Sequence, residues 1–135
     1  MLGIADADSG EHDSGSKNIV ITPVACAVPN RAPNAPKLSG ANQVRIEEGS
    51  LLRSIYESDA VDEEYFCNYE VNPAYHRDLE NTGLRLAAFG DQGELRAVEL
   101  PDRRFFIATL YQPQLSSTED WPHPVIVEFL SAAAG

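Results

Sequence analysis

The sequence predicts a mixed α/β domain with more strands than helices. Three observations carry that expectation. First, β-branched and aromatic runs recur along the chain, at Asn18–Val28, Glu64–Val71, Leu84–Phe89, Glu94–Leu100 and Phe105–Tyr111. Second, short segments with capping residues lie among them, at Leu51–Tyr56, Ala74–Asn81 and Val125–Ala134. Third, a length of 135 residues with 43% hydrophobic content suits one domain with a buried core.

The elements follow in order. Residues 1–17 read as a polar N-terminal loop rich in Asp, Ser and Gly, ahead of a folded unit at 18–135. Pro23 inside Asn18–Val28 predicts a bulge or an early strand end, because proline cannot donate to a ladder. Residues 29–40 hold three prolines in twelve positions and read as a loop. Ala41–Ile46 reads as a short edge strand. Ser50 stands just before LLRSIY and caps a short helix. EYFCNYEV at 64–71 reads as one strand. Asn72 and Pro73 open a helix that Thr82 and Gly83 close.

Gly90 to Gly93 form a hairpin turn. The returning strand places Leu95, Ala97 and Glu99 on one face. Phe105–Tyr111 is nearly continuous in apolar character, which suits a central strand. The final helix, Val125–Ala134, presents Ile126, Phe129 and Leu130 as an apolar stripe. No internal repeat, Gly-rich phosphate loop or early strand–glycine–helix unit is present. A sheet of this size is expected to need a completing surface, either as a homodimer or from a partner chain.

Charge narrows the partners. Twenty-one acidic residues against 10 basic ones give a net charge of -11, which would repel a phosphate backbone and argues against nucleic acid. No run of roughly 18 apolar residues exists, so no membrane association through a span is expected. The first residues lack the basic and apolar regions of a secretory signal. Cys26 and Cys67 make neither a disulfide framework nor a metal knuckle. The expectation is a reduced, cytoplasmic protein without cofactor or metal.

Few side chains have a reactive setting. Cys67 has Phe66 and Tyr69 nearby and reads as a packed thiol. Cys26, in VACAV, reads so even more strongly. His12 lies between Glu11 and Asp13, a trio without structural zinc spacing. His76 reads as a surface residue of a short helix. His123, between Pro122 and Pro124, reads as structural. Glu70 could face the helix N-terminus that follows it, or pair with Arg96, Arg103 or Arg104. The distinctive feature is Tyr111-Gln112-Pro113-Gln114 at a strand end, where α/β proteins place functional side chains. Gln112 and Gln114 can bind a ligand amide or carboxylate, or can satisfy the backbone of the turn. Neither can act as a base near neutral pH.

With those residues in view, the chain resembles the glutaminase domain of CTP synthase, a class I (triad) glutamine amidotransferase. The resemblance rests on YEVNPAY at 69–75, LENTGLRL at 79–86, IATLYQPQLSS at 107–117 and PHPVIVEFLSAA at 122–133. MLGIADADSGEH at 1–12 and GSLLRSIY at 49–56 also fit. It implies a partial domain at 18–135, the C-terminal portion of a flavodoxin-like fold with a mixed sheet and flanking helices.

The resemblance further implies hydrolysis of the glutamine side-chain amide by a Cys–His–Glu triad. The family closes its last strand with Phe-His-Pro-Glu. Gln112 therefore stands at the place of the catalytic histidine and Gln114 at that of the glutamate. The family's nucleophile precedes the segment matched by residues 1–12, and neither Cys26 nor Cys67 is its counterpart. Phe66, Cys67 and Asn68 replace a basic run that precedes the counterpart of Tyr69. The phrases CNYEVNP and TLYQPQLSS look like the free-standing CTP-synthase C-terminal-region-related proteins. The expectation is a degenerate, non-catalytic domain with Tyr69, Gln112 and Gln114 as its ligand-binding residues, for a small amide or amino acid. The alternative is altered amidotransferase or hydrolase chemistry, with the nucleophile upstream or on a partner chain.

Overall fold

The computed structural model describes residues 3–23, 39–67 and 69–135. Among them lie eight strands: β1 (Ala7–Ser9), β2 (Asn18–Pro23), β3 (Ser39–Ile46), β4 (Ala60–Phe66), β5 (Tyr69–Val71), β6 (Arg85–Gly90), β7 (Leu95–Glu99) and β8 (Ile107–Thr109). Four helices accompany them: α1 (Leu51–Tyr56), α2 (His76–Asn81), α3 (Pro113–Ser116) and α4 (Pro124–Ala134). A 3₁₀ turn at Pro73–Tyr75 leads into α2.

The strands form two sheets. Five pair antiparallel in the order β4-β3-β6-β7-β8. Three form a smaller sheet in the order β1-β2-β5, where β1 runs parallel and β5 antiparallel to β2. The architecture is mixed α/β, as the residue pattern predicts.

The core lies where α1 and α4 meet the larger sheet. Val44 and Ile46 of β3, Leu52 of α1, Ala87 and Ala88 of β6, Ala97 of β7, Tyr111 and Val125 of α4 form it. The small alanines of the middle strands leave room for Leu52, which is fully buried. Burial of a leucine of this kind contributes roughly 1.5–3 kcal/mol. The helix starts as its sequence requires. The Ser50 hydroxyl accepts from the Arg53 amide at 2.9 Å and donates to the Glu47 carbonyl at 2.7 Å. Beneath it Glu99 of β7 accepts the amides of Leu51 and Leu52 at 3.0 and 3.3 Å, so a buried carboxylate satisfies the start of α1.

Asn72 does two jobs at the end of β5. Its side-chain oxygen accepts the Ala74 amide at 3.0 Å, and its side-chain amide donates to the Ile19 carbonyl at 2.8 Å. The predicted helix entry is thus also a bolt onto β2. At the far end of α2, Gly83 has φ +89, the left-handed conformation expected there. Gly90 at the following hairpin has the Glu94 carboxylate where a Cβ would stand, at 2.5 Å.

Several expectations are corrected. Phe105–Tyr111 is not a long central strand. Only Ile107–Thr109 pairs, at the edge beside β7, because Pro101–Phe106 turn away from the sheet and Tyr111 leaves it. Ala41–Ile46 is not an edge. It belongs to the eight-residue β3, which lies between β4 and β6. The run 64–71 is not one strand. It breaks around Cys67, and β4 and β5 enter different sheets. The stretch read as a polar loop at 1–17 contains β1. On α4, Phe129 and Leu130 are 53% and 59% exposed, and Val125 is the buried residue. Most of the Pro-rich loop and Cys26 lie outside the described residues. Among those residues, no helix is long and apolar enough to cross a membrane.

Candidate functional site

The Tyr111–Gln114 turn is held by backbone bonds and by one strand that is not its sheet neighbour. The Gln112 amide donates to the Glu64 carbonyl of β4 at 2.8 Å. The Thr109 hydroxyl donates to the Tyr111 carbonyl at 2.8 Å, and the Leu115 amide donates to the Gln112 carbonyl at 2.9 Å. Pro113 opens α3, where a missing N–H costs nothing. Gln112 is the residue before the helix, yet its side chain makes no capping bond. Gln112 is half-buried, and Gln114 is exposed. These bonds of the turn are made by backbone groups and the Thr109 hydroxyl, without the Gln112 side-chain amide.

Tyr69 comes from β5, where it pairs with Pro23. Its approach is set by Cys67, whose thiol donates to the Tyr69 carbonyl at 3.5 Å and accepts its amide at 3.4 Å. The sulfur thus closes the bend between β4 and β5, a structural use that fits its partial burial. Gln112 is bonded through its backbone to β4, whereas Tyr69 belongs to the smaller sheet.

A buried polar cluster lies directly behind this turn. The Glu63 carboxylate of β4 receives the Tyr56 hydroxyl of α1 in a short hydrogen bond. It also receives His123 Nε2, at 3.0 and 3.2 Å to its two oxygens. The Tyr56 and Tyr111 hydroxyls lie 3.3 Å apart. His123 Nδ1 accepts the Val125 amide at 3.2 Å and so caps α4. An acceptor at Nδ1 places the ring proton on Nε2, which then donates to Glu63. Burial raises the pKa of both Tyr56 and Tyr111 above the ordinary 10.0, with the Glu63 charge adding to it.

His123 and Glu63 form a buried histidine–carboxylate pair. One ring nitrogen is held by backbone and the other by Glu63, and His123 and Glu63 are 6% and 3% exposed. No lone pair is left to take a proton from a substrate thiol or water. Sequence reasoning found His123 as structural but missed Glu63. It lies 60 residues away and is the buried member of an otherwise exposed Asp62-Glu63-Glu64 triplet, a position that only strand alternation could single out.

The other predicted residues scatter. His12 is exposed and lies 3.4 Å from Asp8. His76 packs near Phe89, with ring centroids 6.3 Å apart, and is partly buried rather than on the surface. Arg96 pairs with Glu94 at 2.6 Å. Burial works to raise the Glu94 pKa, but the Arg96 hydrogen bond and the backbone amides outweigh it and hold the carboxyl below its ordinary 4.5. Arg103 lies 3.8 Å from Asp102 on the surface. Glu70 is buried. Among the described residues, no three His, Cys, Asp or Glu side chains converge as a cation site.

No protein-family model matches the chain. Individual relatives do. A CTP synthase of Methanopyrus kandleri is 36% identical over 136 residues, which is 100% of this chain and 25% of that protein. A CTP synthase of Saccharolobus solfataricus is 31% identical over 139 residues, covering 99% of this chain and 25% of its own. The chain therefore spans about a quarter of the curated relatives it matches.

Among solved structures, the Trypanosoma brucei CTPS glutaminase domain with bound acivicin superposes with a TM-score of 0.88 at 35% identity. The match covers 99% of this chain and 53% of that one. A GMP synthase protein from Thermoplasma acidophilum matches 75% of this chain with a TM-score of 0.52 at 16% identity, a likeness of fold alone.

Proposed function

Because this chain is a relative of the CTP synthase glutaminase domain, we propose that it is a degenerate, non-catalytic domain of that kind. The observation that carries the reading is the Tyr111–Gln114 turn. Its two side chains are amides, at the places where the family resemblance calls for a base and its orienting carboxylate. A glutamine cannot deprotonate a thiol. The one histidine–carboxylate pair near the turn supports the reading, since both ring nitrogens of His123 are already engaged.

In this reading Tyr69, Gln112 and Gln114 serve binding. Two primary amides offer paired donors and acceptors, which suit the amide or carboxylate of a small amino acid. Any place in pyrimidine nucleotide synthesis belongs to the same proposal, as does a role in assembly. Ammonia release from glutamine tests it. The chain and a copy with Gln112→His and Gln114→Glu are expected to stay at the blank. Release by the unmodified chain would overturn the proposal. Calorimetric titration with glutamine reads the binding half: heat that disappears in Gln112→Ala is expected, and no heat from the unmodified chain counts against a ligand site here.

A second reading is altered amidotransferase or hydrolase chemistry. It is favoured by one observation, that the chain covers only 53% of the Trypanosoma brucei glutaminase chain. A nucleophile would then come from residues outside this chain, upstream or on a partner. Rapid, selective labelling of Cys67 by an electrophilic glutamine analogue would favour chemistry within this chain instead.

A further inference from the structure

Helix α4 begins on a histidine side chain. Helix starts are ordinarily capped by a side-chain oxygen of Ser, Thr, Asp or Asn. His123 takes that place instead, its Nδ1 accepting the Val125 amide at 3.2 Å, and Pro124 fills the first helical position. The next two amides have a backbone acceptor. Ile126 and Val127 both donate to the His123 carbonyl, at 3.0 and 3.1 Å. Val125 is thus held by a ring nitrogen and its neighbours by a carbonyl. The difference is chemical. An amide or hydroxyl oxygen keeps its lone pairs near neutral pH, whereas an imidazole nitrogen that binds a proton turns into a donor.

Each element around His123 contributes to its setting. From β4, Glu63 accepts Nε2–H at 3.0 and 3.2 Å. From α1, the Tyr56 hydroxyl lies 3.3 Å from Nε2, and the two rings meet edge to face with centroids 5.8 Å apart. The Tyr111 hydroxyl stands behind it, 3.3 Å from that of Tyr56. Just past α3, the Ser117 hydroxyl accepts the His123 amide at 3.0 Å, and α3 itself carries no ionisable side chain. Among the described residues, Glu63 alone forms an ion pair with His123. Arg53 of α1, Asp62 and Glu64 of β4 and Glu128 of α4 lie beyond that distance.

We propose that proton uptake by His123 releases the start of α4, so that this cap is an acid-sensitive latch. In the neutral ring, Nε2–H donates to Glu63 and the Nδ1 lone pair holds Val125. An incoming proton takes that lone pair. The hydrogen bond from Val125 breaks as the new N–H bond forms, and the ring gains one positive charge. The Glu63 carboxylate favours the imidazolium, while the helix start opposes it, because its amides carry partial positive charge. The new N–H then faces the Val125 N–H, two donors with no acceptor between them. The step reaches the Tyr111–Gln114 turn by two routes. Tyr111 opens that turn and shares the hydroxyl chain to Glu63, and Ser117 joins the end of α3 to the His123 amide. The latch does not depend on whether the domain is catalytic.

Heteronuclear NMR of the full chain between about pH 8 and pH 5 tests the proposal, with circular dichroism as the check on folding. Ring nitrogen shifts read the tautomer and the protonation of His123, and amide exchange reads the cap. At the alkaline end the Nε2–H tautomer is expected, with the Val125 amide protected. As the ring titrates, Val125 protection should fall roughly tenfold, the size of a lost cap, while Val127 keeps its carbonyl and its protection. The Gln112 amide signal should move along the same curve. His123→Asn supplies an oxygen acceptor that takes up no proton in this range, so Val125 protection should become independent of pH. Should that variant fail to fold, the unmodified chain alone decides. An Nδ1–H tautomer at the alkaline end, Val125 protection that holds while the ring titrates, or a ring that does not titrate in the folded chain overturns the proposal. Acid loss of Val125 protection that persists in His123→Asn also overturns it and assigns the effect to Glu63. A Gln112 signal indifferent to pH overturns the reach to the turn.

Discussion

The polar groups under the five-stranded sheet and those of the Tyr111–Gln114 turn are near neighbours in the fold but differ in what holds them. Glu63 has Tyr56 and His123 as partners, Glu99 has two α1 amides and Arg85, and Glu94 has Arg96. Each is almost fully buried. Gln112 and Gln114, by contrast, are half-buried and exposed, and the Gln112 side chain does not cap the helix that follows it. The difference teaches where this chain keeps its ionisable chemistry. Carboxylates and imidazole are committed to joining α1, β4, β7 and α4. The Tyr111–Gln114 turn holds neutral amides.

Four substitutions and two changes of pH break or sharpen that contrast. The largest effect is expected from Glu63→Ala. It leaves the His123 N–H and the Tyr56 hydroxyl buried without their acceptor, at a cost of about 3 kcal/mol, read as a shift in the urea midpoint. Raising the pH should act on the same cluster. A folded pKa above the unfolded value of 10.0 stabilises below pH 10 and loses that contribution as the pH rises toward the folded value. The chain should therefore lose stability progressively as the pH rises above 10. Tyr56→Phe should flatten that decline, as followed by urea titration at several pH values.

Smaller effects follow. Ser50→Ala removes the α1 cap and should cost about 1 kcal/mol in the same assay. Gln114→Ala should leave stability within about 0.5 kcal/mol, because the side chain is exposed. A large loss from Gln114→Ala would mean that the turn depends on this amide, and the contrast would fail. Glu94 adds a check at the acid end. Its lowered pKa contributes stability above pH 4.5 that is lost as the pH falls through the native value.

Much of the fold was legible residue by residue. Ser50, Asn72 and Gly83 mark helix boundaries through local bonds and local backbone conformation, and the structure places them there. The Gly90–Gly93 hairpin is local in the same way. The candidate turn at Gln112 was also legible, since proline and two amides at a strand end stand out in one dimension. Where the reading failed, the missing information was distant. Phe105–Tyr111 reads as central because it is apolar. Its apolar side chains serve Phe129 of α4 and the core under α1 rather than strand pairing on both edges. The 64–71 run has strand propensity throughout, but propensity does not reveal that its halves join different sheets.

By itself, then, the sequence determined the mixed α/β class, the caps and turns, the net acidic charge and the two neutral amides of the Tyr111–Gln114 turn. These follow from side-chain chemistry and from bonds between residues close in the chain. Only the tertiary structure decided that β3 is interior and β8 an edge. It alone joined Glu63 to His123 across 60 residues and left the outer face of α4 open. Each of those outcomes depends on which distant surfaces meet, because a buried carboxylate is retained only where the fold brings it donors, and an apolar stripe is covered only where the fold brings it a neighbour.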